Sequence, residues 1–159
     1  IHRHFNVDDP ETLVEIMSAL SDLSDEIPVL FPLHPRTQLR ITEFGLETSK
    51  KNLHLLDPCT YLDFLSLQMH ADLVITDSGG IQEETTYLGI PCLTLRPNTE
   101  RPITVEQGTN HLCVLDDFEN QVDDLLSKKS SHNCKIDLWD GRTAGRVVAS
   151  IKTHFHLAS

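Results

Sequence analysis

The sequence predicts an α/β fold in which a mostly parallel sheet is covered by helices on both faces. About five short apolar segments alternate along the chain with longer segments of helical periodicity. Gly and Pro separate many of these segments. Because strands that are separated by helices pair in parallel, this order indicates βαβ units. The 159-residue chain is expected to form one domain, residues 1–159, with residues 155–159 as a disordered or peripheral tail.

Each element has a local sequence signal. The predicted strands are residues 27–33, 53–56, 73–75, 92–95 and 111–115, and the predicted helices are residues 10–23, 35–44, 61–70, 80–88, 119–128 and 143–155. Asp8 or Asp9 is expected to cap the first helix and Thr60 the third, while Gly45 and Gly89 end helices. Residues 1–6 suit the exit of a strand, residues 7–9 a loop, and residues 129–135 a flexible polar loop.

The charge balance restricts the possible partners. Asp and Glu number 24 against 13 Lys and Arg, which gives a formal net charge of −11. Such a surface repels nucleic acid and anionic membranes, although local positive groups can still hold a nucleotide. The sequence shows no signal peptide and no long apolar segment, so a cytoplasmic protein is expected. Because it begins with Ile and its first residues resemble the end of a strand, we expect a fragment of a longer protein or a processed chain.

The four cysteines do not form a metal site by their spacing. Cys59, Cys92, Cys113 and Cys134 include no Cys-x-x-Cys pair, so no zinc site and no other metal is expected. Cys92 and Cys113 lie in predicted strands, where a thiol usually behaves as a small buried apolar group. All four are expected to be reduced.

Residues 73–84 organise the chain as a buried strand, a tight turn and the start of a helix. Gly79 and Gly80 place no side chain between the backbone and a ligand. The free N–H groups and the positive dipole end of the following helix favour an anion such as phosphate. Two glycines are a weak signal, and a turn that binds nothing is the simpler interpretation of Ser78 to Gly80.

Glu84 strengthens the ligand interpretation. On a helix from Gly80 it lies on the same side as Ile81, Thr85 and Leu88. A carboxylate among apolar residues needs a partner, and the paired hydroxyls of a ribose can donate to it. This pattern predicts a nucleotide at the turn.

Other candidates follow neighbouring strands, where parallel sheets bind ligands. His34 stands at the end of one strand, and a structural role for it is equally compatible with the sequence. Arg96 and Arg101 follow another strand and suit phosphate, with salt bridges to nearby glutamates as the alternative. Phe64 lies on a helix near this edge, where the pattern alone favours packing over contact with a planar base.

Several motifs occur together over residues 1 to about 150. The longest is residues 76–84, Thr-Asp-Ser-Gly-Gly-Ile-Gln-Glu-Glu. The others are Leu88-Gly89-x-Pro91, Thr99-Glu100-Arg101-Pro102, Glu106-x-Gly108-Thr109, His2-Arg3, residues 6–11, His34-Pro35-Arg36-Thr37 and Trp139-Asp140-Gly141-Arg142. As a set, these motifs resemble the non-hydrolysing UDP-N-acetylglucosamine (UDP-GlcNAc) 2-epimerase family. The family usually continues His-Arg with Arg-Glu, whereas this chain has His4 and Phe5.

The resemblance implies a fold and an activity. The chain is similar to the carboxyl-terminal, Rossmann-like, UDP-binding domain of a two-domain GT-B enzyme. The family reaction inverts carbon 2 of the sugar to give UDP-N-acetylmannosamine (UDP-ManNAc), by elimination and re-addition of UDP, and needs no cofactor. The main catalytic acids lie in the amino-terminal domain, so the isolated chain is expected to be inactive and the full-length protein to be a homodimer.

The resemblance also assigns roles to individual residues. Ser78, Gly79 and Gly80 are implied to contact the diphosphate. For the same nucleotide, the resemblance implies that Glu84 contacts the ribose hydroxyls. It also implies that Arg101 lies near the phosphates and that Phe64 lies beside the uracil. His2 is implied to point towards the sugar as a candidate catalytic residue, and Arg3 and His34 to belong to a regulatory sugar-nucleotide site.

Three other interpretations stay open at this point. A UDP-sugar-dependent glycosyltransferase domain has the same architecture, and the fold alone cannot separate the two. A binding module that senses UDP-sugar without chemistry is the second. A purely structural domain is the third, and it requires protein partners for Glu84 and Arg101.

Overall fold

The computed structural model describes residues 1–46, 51–128 and 135–155. Five strands occur where they are predicted: β1 (Val29–Pro32), β2 (Leu53–Leu56), β3 (Val74–Thr76), β4 (Cys92–Leu95) and β5 (Asn110–Cys113). The helices between and around them are α1 (His4–Val7), α2 (Pro10–Glu26), α3 (Pro35–Glu43), α4 (Tyr61–Met69), α5 (Gly79–Leu88), α6 (Pro102–Glu106), α7 (Phe118–Ser127) and α8 (Thr143–His154). A 3-10 turn at Leu115–Asp117 precedes α7. The predicted α/β fold class is confirmed.

The predicted helix ends are also observed. The Asp9 carboxylate accepts a hydrogen bond from the backbone N–H of Thr12 at the start of α2. Thr60 does the same for Asp63 at the start of α4. Gly89 ends α5 in the left-handed conformation, with φ of 73°, which a residue without a side chain adopts most readily.

The interpretation of residues 1–6 as a strand exit is wrong beyond the first three residues, because His4–Val7 forms the short helix α1. The cause is a contact that is distant in sequence. The Asn6 side chain donates to the Asp77 carboxylate at 3.1 Å and to the Leu95 carbonyl at 3.1 Å. These bonds fold the segment back onto the ends of β3 and β4.

All observed strand pairs are parallel, but the five strands form two sheets. β1 pairs with β2, and the other sheet has the order β3-β4-β5. The expected continuous sheet is therefore interrupted between β1 and β3.

Opposite faces of the three-stranded sheet differ in character. Side chains on one face join the apolar core, whose members from α2, α7 and the strands include Leu13, Ile16, Phe118, Val122, Leu93 and Leu95. On the other face Thr94 and Asn110 are buried against Gln82 and Thr85 of α5. The buried face of α5 is therefore polar, and Glu84 lies beside that face, half-buried.

The remaining predictions concern thiols and chain ends. Cys92 and Cys113 are buried free thiols, as predicted, and burial raises the pKa of each to about 11. Residues 129–134 of the predicted loop, including Cys134, and residues 156–159 of the predicted tail lie outside the described residues. None of the helices within the described ranges is both long and apolar enough to cross a membrane.

Candidate functional site

Asp77, directly after β3, holds the start of the chain at the carboxyl edge of the strands. Its fully buried carboxylate accepts hydrogen bonds from the backbone N–H groups of His2, at 2.9 and 3.1 Å, and of Arg3, at 2.9 Å. Burial by itself would raise the pKa of Asp77. The hydrogen bonds from the backbones of Arg3 and His2 and from the Asn6 side chain act in the opposite direction, and the pKa of Asp77 lies below its ordinary value. Asp77 is therefore ionised at neutral pH.

His2 forms the second part of this anchor. Its Nδ1 lies 3.2 Å from Asp77 Oδ1, and its ring stacks on the ring of His34 with 5.0 Å between centroids. Burial lowers the pKa of His2, and this effect exceeds the opposing attraction of Asp77. The imidazole is therefore neutral at pH 7. Because an ionised carboxylate can only accept, Nδ1 carries the proton towards Asp77, which leaves Nε2 as a hydrogen-bond acceptor.

The amino end of α5 has the features of an anion site. Ser78 occupies the position before the helix but makes no capping hydrogen bond with its side chain, while its N–H donates to Thr76 Oγ1 at 3.1 Å. No atom lies within 4 Å of the place that a side chain would take at Gly80. The free N–H groups of this ten-residue helix lie at the carboxyl edge of β3, and the position of a Gly80 side chain is unoccupied.

A carboxylate of the protein lies next to this helix end. A Cβ atom added to Gly79 would come within 2.5 Å of Glu100 Oε1. Glu100 is also 2.8 Å from the Arg96 guanidinium and 3.7 Å from that of Arg3, so the predicted alternative of a salt bridge holds for Arg96. The pKa of Glu100 is lowered, mainly by a backbone hydrogen bond and then by Arg96 and Arg3. A negative group and two cations thus share the space beside α5.

Arg101 forms an ion pair with Glu83 of α5. Its Nε lies 3.1 Å from Glu83 Oε2. A buried polar network fixes the loop that carries it: Thr99 Oγ1 donates to Gln82 Oε1 at 2.6 Å, and Asn110 Nδ2 donates to the same oxygen at 3.1 Å. The loop after β4 is therefore held against the start of α5, where the sequence predicts the phosphates.

Glu84 is turned to the other side of α5. Its Oε2 accepts a hydrogen bond from Gln68 Nε2 at 2.7 Å. A cavity of about 440 Å³ between α4 and α5, here called the α4–α5 cavity, is lined by Tyr61, Leu65, Glu83, Glu84, Tyr87, Leu88 and Trp139. Glu84 pairs with Gln68 and Arg101 with Glu83. Both residues therefore have the protein partners that a purely structural domain would require.

Phe64 of α4 is half-buried and lines a different cavity, which lies between the two sheets. The structure therefore brings His2, Arg3, His34, Ser78 and Gly79 together at one edge. Gly80 and Arg101 lie along the same helix end, whereas Glu84 and Phe64 line separate cavities. Gln68 lines the cavity of Phe64 and donates its hydrogen bond to Glu84.

Sequence reasoning missed four contributors to this site. Asp77 stands inside the longest motif, and its position directly after a buried strand could have identified it as a site residue. Glu100 and Asn110 act through contacts that no local pattern announces. Gln82 was also missed, because its position on the predicted helix does not indicate that it is buried in a polar cluster.

The chain is similar to known proteins over most of its length. The sequence matches the UDP-N-acetylglucosamine 2-epimerase family over residues 1–152. The UDP-N-acetylglucosamine 2-epimerase of Methanococcus maripaludis is 39% identical over 158 residues, which cover 95% of this chain and 42% of that protein. The UDP-2,3-diacetamido-2,3-dideoxy-D-glucuronate 2-epimerase of Pseudomonas aeruginosa is 42% identical over 113 residues, which cover 70% of this chain and 31% of that protein.

A similar fold occurs in solved structures. The UDP-GlcNAc 2-epimerase of Methanocaldococcus jannaschii, in complex with UDP-GlcNAc and UDP, superimposes with a TM-score of 0.85 and 37% sequence identity. The superposition covers 96% of this chain and 43% of that protein. The chain therefore spans less than half the length of the relatives that it matches.

Proposed function

Because the chain belongs to the UDP-N-acetylglucosamine 2-epimerase family, we propose that it is the UDP-binding, carboxyl-terminal part of an enzyme that interconverts UDP-GlcNAc and UDP-ManNAc. The observation that carries this proposal is the amino end of α5, which lies beside Arg3, Arg96 and Arg101 at the carboxyl edge of parallel strands. This is the location at which open α/β sheets bind nucleotides.

The diphosphate is proposed to lie at the start of α5. There the Ser78 hydroxyl and the N–H groups of Gly79 and Gly80 donate to phosphate oxygens, and the helix dipole favours the negative charge. Arg101 supplies a guanidinium, which exchanges its contact with Glu83 for a phosphate. Glu100 has to leave the space beside Gly79 when the phosphates bind.

The nucleoside is proposed to extend from there along α5 and α4. Glu84 uses one carboxylate oxygen for Gln68, and its other oxygen is available to a ribose hydroxyl. Phe64 on α4 is proposed to lie beside the uracil. An aromatic ring provides a flat apolar surface for a base, which fits its half-buried position.

His2 is proposed to face the sugar. A neutral imidazole whose Nδ1 is held by Asp77 presents Nε2 as an acceptor, the form that a proton acceptor requires. Arg3 and His34 adjoin His2 and are proposed to contact a second, regulatory sugar nucleotide. The reaction itself proceeds by loss of UDP to give an unsaturated sugar and by its re-addition, with the main acids supplied by the amino-terminal domain.

The exposed apolar surface of helix α8 is an argument for a partner domain. It has no buried residue, and the apolar side chains of Val147, Val148 and Ile151 are about half exposed. We propose that an amino-terminal domain outside this sequence covers this helix and closes the UDP cleft. The full-length protein is proposed to be a homodimer, and the 159-residue chain alone to be inactive.

The decisive experiment follows turnover by NMR. The full-length protein is expected to convert UDP-GlcNAc to UDP-ManNAc, while the 159-residue chain is expected to show no conversion. Release of free UDP with transfer of the sugar to an acceptor would instead identify a glycosyltransferase. Binding without any reaction in the full-length protein would identify a sensing module. A parallel assay with UDP-2,3-diacetamido-2,3-dideoxy-D-glucuronate tests the substrate of the Pseudomonas aeruginosa relative.

A further inference from the structure

The backbone of Arg101 is held on both sides by hydroxyl groups. Its N–H donates to Thr99 Oγ1 at 2.9 Å, and its carbonyl oxygen accepts a hydrogen bond from Thr104 Oγ1 at 2.7 Å. The Thr104 N–H donates to the same carbonyl at 3.0 Å, because Arg101 is the residue before α6. Both peptide groups next to the Arg101 Cα are therefore fixed, whereas its side chain is 42% exposed.

The two hydroxyl groups are joined through two buried amides, which closes a ring of hydrogen bonds, here called the threonine–amide ring. Thr99 Oγ1 donates to Gln82 Oε1 at 2.6 Å. Asn110 Nδ2 uses its two hydrogens, one for Gln82 Oε1 and one for Thr104 Oγ1, each at 3.1 Å. Each threonine hydroxyl thus donates one hydrogen bond within the site and accepts another, so every polar hydrogen of these hydroxyls has a defined acceptor.

The threonine–amide ring is shielded from solvent and attached to the elements on either side. Gln82 of α5 and Thr104 of α6 have no exposed surface, and Asn110 at the start of β5 is 1% exposed. Thr94 Oγ1 of β4 donates to Asn110 Oδ1 at 2.6 Å, which ties the ring to the middle strand of the three-stranded sheet. Buried hydrogen-bond networks are rigid. The ring therefore fixes the Arg101 backbone relative to α5 and to the sheet.

The segment that follows Arg101 is packed as closely as the segment before it. A Cβ atom added to Gly108 would lie 2.4 Å from the Thr104 carbonyl oxygen and 2.6 Å from Thr86 Cγ2 of α5. Both distances are too short for a carbon contact, so the approach of α6 to α5 requires a glycine here. The segment that carries Arg101 is thus held at its start by Thr99 and at its end by Gly108.

We propose that Thr99, Gln82 and Asn110 are positioning residues for Arg101, and that they set the affinity for a diphosphate through it. This inference rests on the proposed function, in which Arg101 exchanges its contact with Glu83 for a phosphate. A fixed backbone leaves fewer conformations of the long arginine side chain to compete with that contact. The ring consists of uncharged side chains, so it acts on the phosphate through the position of the guanidinium.

A matched pair of Thr99 variants tests this role by calorimetric titration of UDP into the full-length protein. Thr99→Val keeps the shape but removes the hydroxyl, and it is expected to bind UDP about three- to ten-fold more weakly, up to the loss that removal of the Arg101 contact causes. Thr99→Ser restores the hydroxyl and is expected to recover most of the affinity. The control is Ser24→Ala, which removes a buried hydroxyl on α2 and is expected to bind UDP like the wild type. Equal affinities for Thr99→Val and Thr99→Ser would overturn the proposal.

A double-variant cycle separates positioning from general damage to the fold. Asn110→Ala is expected to weaken UDP binding in the wild-type background. In an Arg101→Ala background, Asn110→Ala and Thr99→Val are expected to change the affinity by less than about two-fold, because the contact that they position is already lost. Thr99 is half-buried, so its variants decide the outcome where Asn110→Ala does not fold.

The cycle also distinguishes this inference from the proposed function. Losses for Thr99→Val that multiply with the loss for Arg101→Ala would overturn the positioning role and leave the phosphate contact of Arg101 intact. Arg101→Ala that binds UDP like the wild type would contradict the phosphate contact itself, and the positioning role with it.

Discussion

The strongest stability prediction concerns Asp77→Ala. The Asp77 carboxylate is fully buried and receives the backbone N–H groups of His2 and Arg3 and the side-chain amide of Asn6. Alanine removes the acceptor but leaves these donors in place. The substitution is therefore expected to release the first turn of the chain from the edge of the three-stranded sheet.

The magnitude follows from the donors left behind. Each buried donor without a partner costs about 1–3 kcal/mol, and two backbone N–H groups lose theirs. We expect a loss of about 4 kcal/mol in the free energy of unfolding, which is a large share of the roughly 5–15 kcal/mol typical of a domain. Because folding lowers the pKa of Asp77, this contribution is complete above its ordinary value of 3.8 and is lost as the pH falls through the lower folded value.

Urea unfolding of the 159-residue chain, followed by circular dichroism at pH 7, measures this difference. Asp72→Ala is the control, because Asp72 is an exposed acid that precedes the same strand, and its replacement is expected to change stability by no more than about 0.5 kcal/mol. A loss below about 1 kcal/mol for Asp77→Ala would refute the anchoring role. The gap between wild type and Asp77→Ala must also narrow as the pH falls below 3.8.

Three further predictions concern charge and thiol chemistry. NMR titration should give His2 a pKa below 6.5, and Asp77→Asn should lower it further because Asp77 favours the protonated ring; an increase would contradict the described contact. Glu100→Gln should tighten UDP binding by about two- to five-fold, since a charge beside a helix end contributes about 0.3–1 kcal/mol, and calorimetry showing weaker binding would oppose this. A thiol reagent should label Cys59 in the native chain but spare Cys92, whose burial raises its pKa to about 11, and rapid labelling of both would show that the strand opens.

The strands and helix ends could be predicted because their signals are local. Short apolar runs predicted all five strands, and Asp9, Thr60 and Gly89 act within one helical turn of their own positions. α1 could not be predicted in the same way. Its conformation depends on bonds from Asn6 to Asp77 and Leu95, which are 71 and 89 residues away.

The site was only partly predictable for a similar reason. Gly79, Gly80 and the motif around Ser78 indicate an anion site, because a helix that starts at these residues has free backbone N–H groups. The pairing of Arg101 with Glu83 and the approach of Glu100 to Gly79 depend on how the loop after β4 folds over α5. The division of the strands into two sheets was also unpredictable, because the order of strand segments along the chain does not say which strands pair with each other.

The most direct test of the proposed function is a calorimetric titration of UDP into the full-length protein and into its Glu84→Ala and Arg101→Ala variants. Loss of a charge-assisted hydrogen bond costs about 1.5–3 kcal/mol, so each variant is expected to bind UDP about ten-fold or more weakly. Asp123→Ala, an exposed acid on α7, is expected to bind like the wild type. Affinities for UDP that agree within two-fold among all four proteins would contradict a nucleotide site at α5.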